Sequence, residues 1–164
     1  MTATTSTNTD VVLGLVAALN AQDYEALRAG YADDVWERFP DATVRGPEAI
    51  MEYFRAVHAA LPDLHIDVLH TAEEGESVFM RSEITGTHTG APFAGLLPTG
   101  KPIRIAAIDH FTIRDGKMAS NFVVFDQMEF GRQLGLMPPD GSAPDRALKA
   151  VFNGVTSLRA RLKR

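Results

Sequence analysis

Residues 105–126, with the sequence IAAIDHFTIRDGKMASNFVVFD, decide the fold of this chain. Two apolar segments flank Asp115 and Gly116, and an Asp-Gly pair between such segments predicts a β-hairpin with a tight turn. The first segment carries a carboxylate, Asp109, among residues that face a core. Burial of a carboxylate costs several kcal/mol unless the group is paired, hydrogen-bonded or neutral. The presence of Asp109 at such a position therefore needs a physical explanation.

Two interpretations of Asp109 remain open at this stage. Alternation puts Ala107, Asp109 and Phe111 on one face of the strand and Ile108 and His110 on the other, and both faces are largely apolar. A structural role would have Asp109 cap a neighbouring backbone group or pair with a buried histidine. A functional role would make it an acid or a base in a pocket.

Composition limits the class of protein. The chain has 164 residues, of which 45% are apolar, and this suits one domain with a substantial core. The net charge of −5 argues against a nucleic-acid partner. Cysteine is absent, which is compatible with the cytoplasm, the expected location. Residues 1–9 lack the features of a signal peptide and are expected to be disordered, and no apolar run predicts a membrane span.

The pattern of elements predicts an α+β fold. Helical periodicity covers 10–20, 23–31 and a segment that begins at Pro47 and ends before Pro62, and a short strand is expected over 35–39. The strand segments that follow are 64–72, 77–88, 102–113 and 117–126. Helices followed by a run of strands indicate a curved, mostly antiparallel sheet with N-terminal helices over one face, which encloses a pocket.

The C-terminal end forms a further element. A Pro/Gly-rich linker at 138–142 precedes an amphipathic helix over 145–162, whose apolar side includes Leu148, Phe152 and Val155. We expect this helix to pack on its own domain or across a dimer rather than on a membrane or RNA. The predicted organisation is a disordered N-terminus (1–9), one domain (10–138), and a linker with the C-terminal helix (139–164).

Seven motifs occur in an order that resembles the SnoaL-like polyketide cyclase family, which belongs to the nuclear transport factor 2-like superfamily. They are VAALNAQD at 16–23, YADD at 31–34, RGPEAI at 45–50, GTHTG at 86–90, PTGK at 98–101, DGK at 115–117 and RQLG at 132–135. The resemblance implies a cone-shaped α+β barrel around a pocket. It leaves the reaction open, because the superfamily contains ring cyclases, isomerases, epoxide hydrolases, dehydratases and proteins that only bind.

The family's site residues transfer only in part. The aspartate that is the proposed acid/base of anthracycline-type cyclases falls on Val123, their assisting histidine on Asp109, and a second histidine on Asn121. In the ketosteroid isomerases of the superfamily, an aspartate at the position of Asp109 stays protonated and donates a hydrogen bond to an oxyanion. Their catalytic base falls on Phe39 and their oxyanion tyrosine on Leu15, so that reaction is not expected.

The predicted site is therefore a hydrophobic pocket with few polar groups. Asp109 is the expected acid, base or hydrogen-bond donor, Asn121 is expected to hold a substrate carbonyl, and His88 is expected to tune Asp109. An alternative for His88 is a structural hydrogen bond to a loop carbonyl. The predicted walls comprise the residues Trp36, Phe39, Tyr53, Phe54, Ala107, Phe111, Val123 and Phe125. His58, His65 and His70 show no metal-ligand spacing, so no metal site is predicted.

The predicted function is a cofactor-independent cyclase or isomerase, or a related lyase, for a polyketide-like or polycyclic hydrophobic molecule. One alternative is templated cyclisation or cycloaddition, in which the shape of the pocket lowers the barrier and Asp109 only orients the substrate. Another is a non-catalytic carrier or assembly protein. An epoxide hydrolase would need a second acid beside Asp109, and the sequence indicates none. A homodimer is expected through the strand face that carries Thr112 and Phe122, together with the C-terminal helix.

Overall fold

The computed structural model describes residues 7–93 and 95–162, which form five helices and six strands. The helices are α1 (Asn8–Asn20), α2 (Tyr24–Ala29), α3 (Pro47–Ala60), α4 (Gln127–Leu134) and α5 (Ala143–Leu162). The strands are β1 (Tyr31–Arg38), β2 (Thr43–Arg45), β3 (His65–Glu74), β4 (Ser77–Thr87), β5 (Pro102–Arg114) and β6 (Lys117–Phe125). The expected α+β architecture is confirmed.

The six strands form one open, mixed sheet in the order β2-β1-β6-β5-β4-β3. All neighbouring pairs are antiparallel except β1 and β6, which run parallel. The hairpin of β5 and β6 turns at Asp115 and Gly116, where φ is 52° and 72°. Two consecutive positive φ values define the turn type that the Asp-Gly pair predicts.

The helices α1, α2 and α3 lie over one face of this sheet. Their buried apolar residues pack against alternate residues of the strands, since successive strand side chains point to opposite faces. Residues that illustrate this core are Val12, Leu15, Ile50, Met80, Phe111 and Ile113. We refer to this covered side as the inner face of the sheet and to the opposite side as its outer face.

The chain is ordered closer to its N-terminus than the sequence indicates. Asn8 and Thr9 are helical, although they belong to the segment 1–9 that was expected to be disordered. The reason is a capping box: the Thr7 side chain accepts from the Asp10 N–H, and the Asp10 carboxylate accepts from the Thr7 N–H. The prediction of disorder also covered residues 1–6, which lie outside the described residues.

Two other boundaries differ from the sequence prediction. Strand β1 begins at Tyr31 rather than at residue 35, and the exposed carboxylates of Asp33 and Asp34 form ion pairs with Arg28 and Arg114. Helix α4 was not predicted. It begins at an N-cap, Asp126, whose side chain accepts from two backbone N–H groups, and it ends before a glycine with a φ of 86°.

Helix α5 exposes the apolar side that was expected to be covered. The exposed fractions are 55% for Leu148, 70% for Phe152 and 45% for Val155. Packing of this helix on its own domain is therefore not observed, and packing across a dimer stays a prediction. Within 7–93 and 95–162, no helix has the length and apolar character that crossing a bilayer requires.

Candidate active site

A cavity of about 330 Å³ lies between the inner face of the sheet and the helices. Its walls are mostly apolar, as is typical of sites for hydrophobic small molecules. Predicted wall residues that line it are Phe39, Tyr53, Phe54, Phe111, Val123 and Phe125. Asp109 and Asn121 line it as well. Helix α4, which the sequence analysis missed, contributes Gln127 and Phe130 to the wall.

Aromatic rings form two parts of the cavity wall. The rings of Phe39 and Tyr53 are stacked with their centroids 4.1 Å apart, and Phe54 meets Phe39 edge to face. On another side, the loop residue Phe93 contacts Phe130 of α4 edge to face. Flat walls of this kind favour a flat ligand, because stacking on aromatic rings adds to the free energy of burial.

Two residues of the predicted wall do not line the cavity. Trp36 lies on the outer side of β1, where the guanidinium of Arg45 is 6.0 Å from its ring centroid. Ala107 is buried on the inner face without contributing to the cavity surface. The error at Trp36 follows from the two-residue period of a strand, since Trp36 and Phe39 cannot both point inward.

The same alternation places an unpredicted carboxylate, Glu37, on the inner face. Its side chain is 1% exposed and lines the cavity. The Tyr31 hydroxyl donates to Glu37 Oε1 over 3.0 Å. The sequence carried a signal for this residue, because Val35, Glu37 and Phe39 share one face of a strand. The expectation that Asp109 has no second acid nearby is therefore wrong.

Asn121 connects the two carboxylates. Its Nδ2 donates to Glu37 Oε2 over 3.2 Å and to Asp109 Oδ1 over 3.1 Å. Strand register explains the arrangement: Glu37 pairs with Asn121 across β1 and β6, while Asp109 pairs with Val123, two residues further along β6. Neighbouring strands thus bring the three side chains together on the inner face.

Because Asn121 donates to both carboxylates, it has no N–H group left to donate to a substrate. An amide nitrogen has two hydrogens, and the carboxylates of Glu37 and Asp109 accept both. The expected hydrogen bond from Asn121 to a substrate carbonyl is therefore not available in this arrangement. Asn121 Oδ1 is buried and has no partner among the described residues, so this atom can accept a hydrogen bond from a ligand.

Burial raises the pKa values of both carboxyl groups. Loss of solvation raises the pKa of Asp109 to about 6, and the hydrogen bond from Asn121 opposes this shift. Loss of solvation also raises the pKa of Glu37 to about 7, with a further contribution from the charge of Asp109, against the hydrogen bonds from Tyr31 and Asn121. At neutral pH, Asp109 is thus mainly ionised while Glu37 retains much of its proton.

His88 is remote from this pair. It follows β4, eight residues beyond Met80, which pairs with Asp109, and eight residues of strand span roughly 26 Å. Its Nε2 lies 3.2 Å from the Ala91 carbonyl oxygen, and its Nδ1 lies 3.5 Å from the Thr99 hydroxyl. His88 therefore anchors the loop after β4, as its structural alternative predicts, and does not tune Asp109.

The described part of the chain contains no cluster of three or more His, Asp or Glu side chains that could hold a metal ion. His58 is buried, and its Nδ1 lies 2.8 Å from the Tyr24 hydroxyl. Burial lowers the pKa of His58, which keeps this ring neutral at physiological pH. His65 instead forms an exposed pair with Asp67.

Solved structures with the same fold come from several bacteria. IdmH from Streptomyces antibioticus, a candidate polyketide cyclase, is 26% identical, with a TM-score of 0.69 over 79% of this chain and 99% of IdmH. TsrD from Streptomyces laurentii is 25% identical, with a TM-score of 0.71 over 79% of this chain and 95% of TsrD. AclR from Streptomyces galilaeus shares the fold at 23% identity, with a TM-score of 0.71 over 96% of this chain and 97% of AclR.

The sequence itself identifies the family. No curated protein matches the chain at a significant level. The profile of the SnoaL-like polyketide cyclases matches residues 9–134, which include all six strands and, apart from Asn8, the helices α1 to α4. Since this match covers well over half of the residues, the chain belongs to the SnoaL-like polyketide cyclase family.

Proposed function

We propose that this protein is an enzyme that cyclises or isomerises a polyketide-like, polycyclic hydrophobic molecule without a cofactor. The observation that carries the proposal is the pair of carboxyl groups, Asp109 and Glu37, joined by Asn121 inside an apolar cavity. Buried acids with raised pKa values are typical of proton-transfer sites. The polyketide cyclase family supports this reaction class.

Asp109 is the group that transfers the proton. Its Oδ2 has no hydrogen-bond partner in the described part of the chain, whereas both oxygens of Glu37 are engaged by protein donors. The Asp109 carboxylate removes a proton from a carbon next to a substrate carbonyl, and the C–H electron pair forms an enolate. For this step the base has to lie within hydrogen-bond reach of the proton.

The catalytic cycle returns the proton. In a cyclisation, the enolate carbon attacks a second carbonyl of the same molecule, a C–C bond forms, and the resulting alkoxide takes the proton from Asp109. In an isomerisation, the proton returns to a different carbon. Glu37 does not touch the substrate in this scheme. It is a positioning residue that orients Asn121, and its proton limits the negative charge beside Asp109.

Templated cyclisation remains the second candidate. The observation that favours it is that Val123 lines the cavity, because this is the position onto which the family resemblance places the proposed acid/base of anthracycline-type cyclases. In that case the aromatic walls would hold the reacting atoms close together, and Asp109 would only orient the substrate. A carrier without catalytic activity would use the same cavity.

A deuterium-exchange experiment separates proton transfer from templating and carriage. The probe is a methyl ketone on a fused aromatic ring, incubated with the protein in heavy water. We expect the protein to accelerate exchange of the methyl hydrogens, because the probe places an acidic C–H group beside a carbonyl. Mass spectrometry measures the exchange. Binding of the probe without accelerated exchange would favour templating or carriage.

Self-association into a homodimer is a further part of the proposal. The outer face of the sheet exposes Phe79, Ile108, Phe122 and Val124 at fractions of 42–51%, and α5 adds its exposed apolar side. Exposed apolar side chains that share one face are typical of surfaces that another chain covers. Sedimentation velocity should therefore give the mass of two chains, and a single monomeric species at high concentration would contradict this prediction.

The cytoplasmic location stays a prediction, which cell fractionation tests.

A further inference from the structure

Besides Asp109 Oδ2, two polar atoms of buried side chains in the cavity wall have no hydrogen-bond partner among the described residues. They are Ser82 Oγ and Asn121 Oδ1. Ser82 is 1% exposed and Asn121 is 4% exposed, and both line the cavity. Most buried polar groups in folded proteins are hydrogen-bonded, because an unpaired one costs free energy. Both atoms therefore require a partner that the ligand-free chain does not supply.

The register of the sheet places these atoms on opposite sides of Asp109. On β4, Met80 pairs with Asp109 and Ser82 pairs with Ala107, so Ser82 is a diagonal neighbour of Asp109. On β6, Asn121 is its diagonal neighbour in the opposite direction, because Val123 pairs with Asp109. Each diagonal step separates the residues by about 7–8 Å, and the two steps follow one line across the inner face.

The surroundings of Ser82 are apolar. Its neighbours on the same face of β4 are Met80 and Ile84, and the residue opposite is Ala107. Within 7–93 and 95–162, no side chain forms a hydrogen bond with the Ser82 hydroxyl. A hydroxyl is both a donor and an acceptor, so Ser82 can bind a carbonyl oxygen or a hydroxyl of a ligand.

Asn121 Oδ1 can bind fewer kinds of ligand group than the Ser82 hydroxyl. Both of its amide hydrogens are used by the carboxylates, and an amide oxygen can only accept. Its ligand partner must therefore carry a donor. In a molecule without nitrogen, that donor is a hydroxyl group.

We propose that Ser82 and Asn121 bind oxygen functions at opposite ends of the substrate and hold its reacting carbon over Asp109. The substrate would be an elongated, fused-ring molecule with a hydroxyl at the Asn121 end and a hydroxyl or carbonyl at the Ser82 end. This inference rests on the proposed function and specifies its substrate class. It assigns to Ser82 a role in binding and to Asp109 the chemistry.

The test compares two probes and one substitution. The probes are an anthraquinone with one hydroxyl on each outer ring and an anthraquinone with a single outer hydroxyl. We expect the unsubstituted protein to bind the first probe roughly fivefold to tenfold more tightly, the effect of one added hydrogen bond. Ser82→Ala should bind both probes equally, and isothermal titration calorimetry measures the two affinities.

The ligand-free variant provides the second measurement. Because Ser82→Ala removes an unpaired buried hydroxyl, its melting temperature should rise by about 2–6 °C. The matched control is Ser77→Ala, on the same strand, whose hydroxyl lies 3.1 Å from His110 Nε2 on the outer face. This control should keep the preference between probes and gain no stability.

The possible results are distinct. Equal affinities in Ser82→Ala together with a higher melting temperature support the proposal. A preserved preference in that variant, a lower melting temperature, or binding of neither probe by the unsubstituted protein overturns it. The readouts are binding and melting, so they do not depend on turnover. If the deuterium exchange fails while these results hold, the proposed chemistry is wrong and the assignment of the binding residues stands.

Discussion

Asp109→Asn is expected to lower turnover of the natural substrate by roughly 10²–10⁴-fold, the usual effect of removing a general base. The substitution preserves the shape of the side chain, and the amide oxygen can still accept from Asn121 Nδ2 at the position of Asp109 Oδ1. Substrate affinity should therefore change little. Steady-state kinetics should show the loss in kcat with a nearly unchanged KM.

The pH profile provides an independent check. A base with a pKa of about 6 is protonated in acid, so the rate of the unsubstituted enzyme should fall below about pH 6.

Asp115→Asn is the matched control for Asp109→Asn, because it makes the same chemical change at an exposed turn where asparagine tolerates the positive φ. It should keep the full rate.

Phe39→Ala distinguishes the templating alternative. Phe39 is buried and stacks on Tyr53 in the cavity wall, so its removal should weaken binding and rate together under either mechanism. Under templating, this loss should exceed that of Asp109→Asn. An Asp109→Asn enzyme with an unaltered rate on its natural substrate would remove proton transfer from the proposal.

Asp109→Asn should also stabilise the folded protein at neutral and alkaline pH. Folding raises the pKa of Asp109 from 3.8 to about 6, so at higher pH the folded state holds a poorly solvated charge. A difference of about two pKa units corresponds to about 3 kcal/mol. Asp109→Asn should therefore increase the free energy of unfolding at pH 8 by up to about 3 kcal/mol.

The sign of the pH dependence follows from proton binding. Between about pH 4 and pH 6, the folded state holds the Asp109 proton more tightly than the unfolded state, so this group makes stability fall as pH rises. Glu37, with a pKa near 7, extends the decline to about pH 7. The advantage of Asp109→Asn should therefore be absent at pH 4 and complete at pH 8. Urea unfolding across this range measures it.

Two comparisons make the stability prediction specific. Asp115→Asn should show no such pH-dependent gain, because its side chain is exposed. Phe39→Ala should lose about 3–5 kcal/mol at every pH, since it removes a buried ring. If Asp109→Asn were less stable than the unsubstituted protein at pH 8, the carboxylate would be better solvated in the folded state than its burial indicates.

Much of the sheet was predictable because its signals are local. The period of two, the Asp115-Gly116 turn and the flanking loops placed β4, β5 and β6 within a residue or two of their observed ends. The boundary of β1 was less predictable, because the charged residues Asp33 and Asp34 resemble a loop. Both residues lie between Tyr31 and Trp36, where the pairing of β1 with β6 is irregular, and their ion pairs join β1 to Arg28 of α2 and to Arg114 of β5.

The candidate site was predictable only at its centre. Asp109 was identified because a carboxylate among alternating apolar residues is a local conflict that the sequence displays. Glu37 could have been found by consistent use of the strand period in β1, since Phe39 was already assigned to the pocket. His88 was misassigned because its type suggested chemistry, whereas its distance from Asp109 depends on how β4 pairs with β5.

The sequence by itself therefore determined most of the helices and strands, the inward faces of β5 and β6 and the buried carboxylate Asp109, because these follow from periodicity and turn chemistry within short segments. The tertiary structure decided which side chains meet. Parallel pairing of β1 with β6 brings Glu37 to Asn121, although 84 positions separate them, and antiparallel pairing of β5 with β6 brings Asp109 to the same amide. The two carboxylates together use both amide hydrogens of Asn121. The unpaired oxygens of Ser82 and Asn121 arise in the same way, since whether a polar atom finds a partner depends on strands that are remote in sequence.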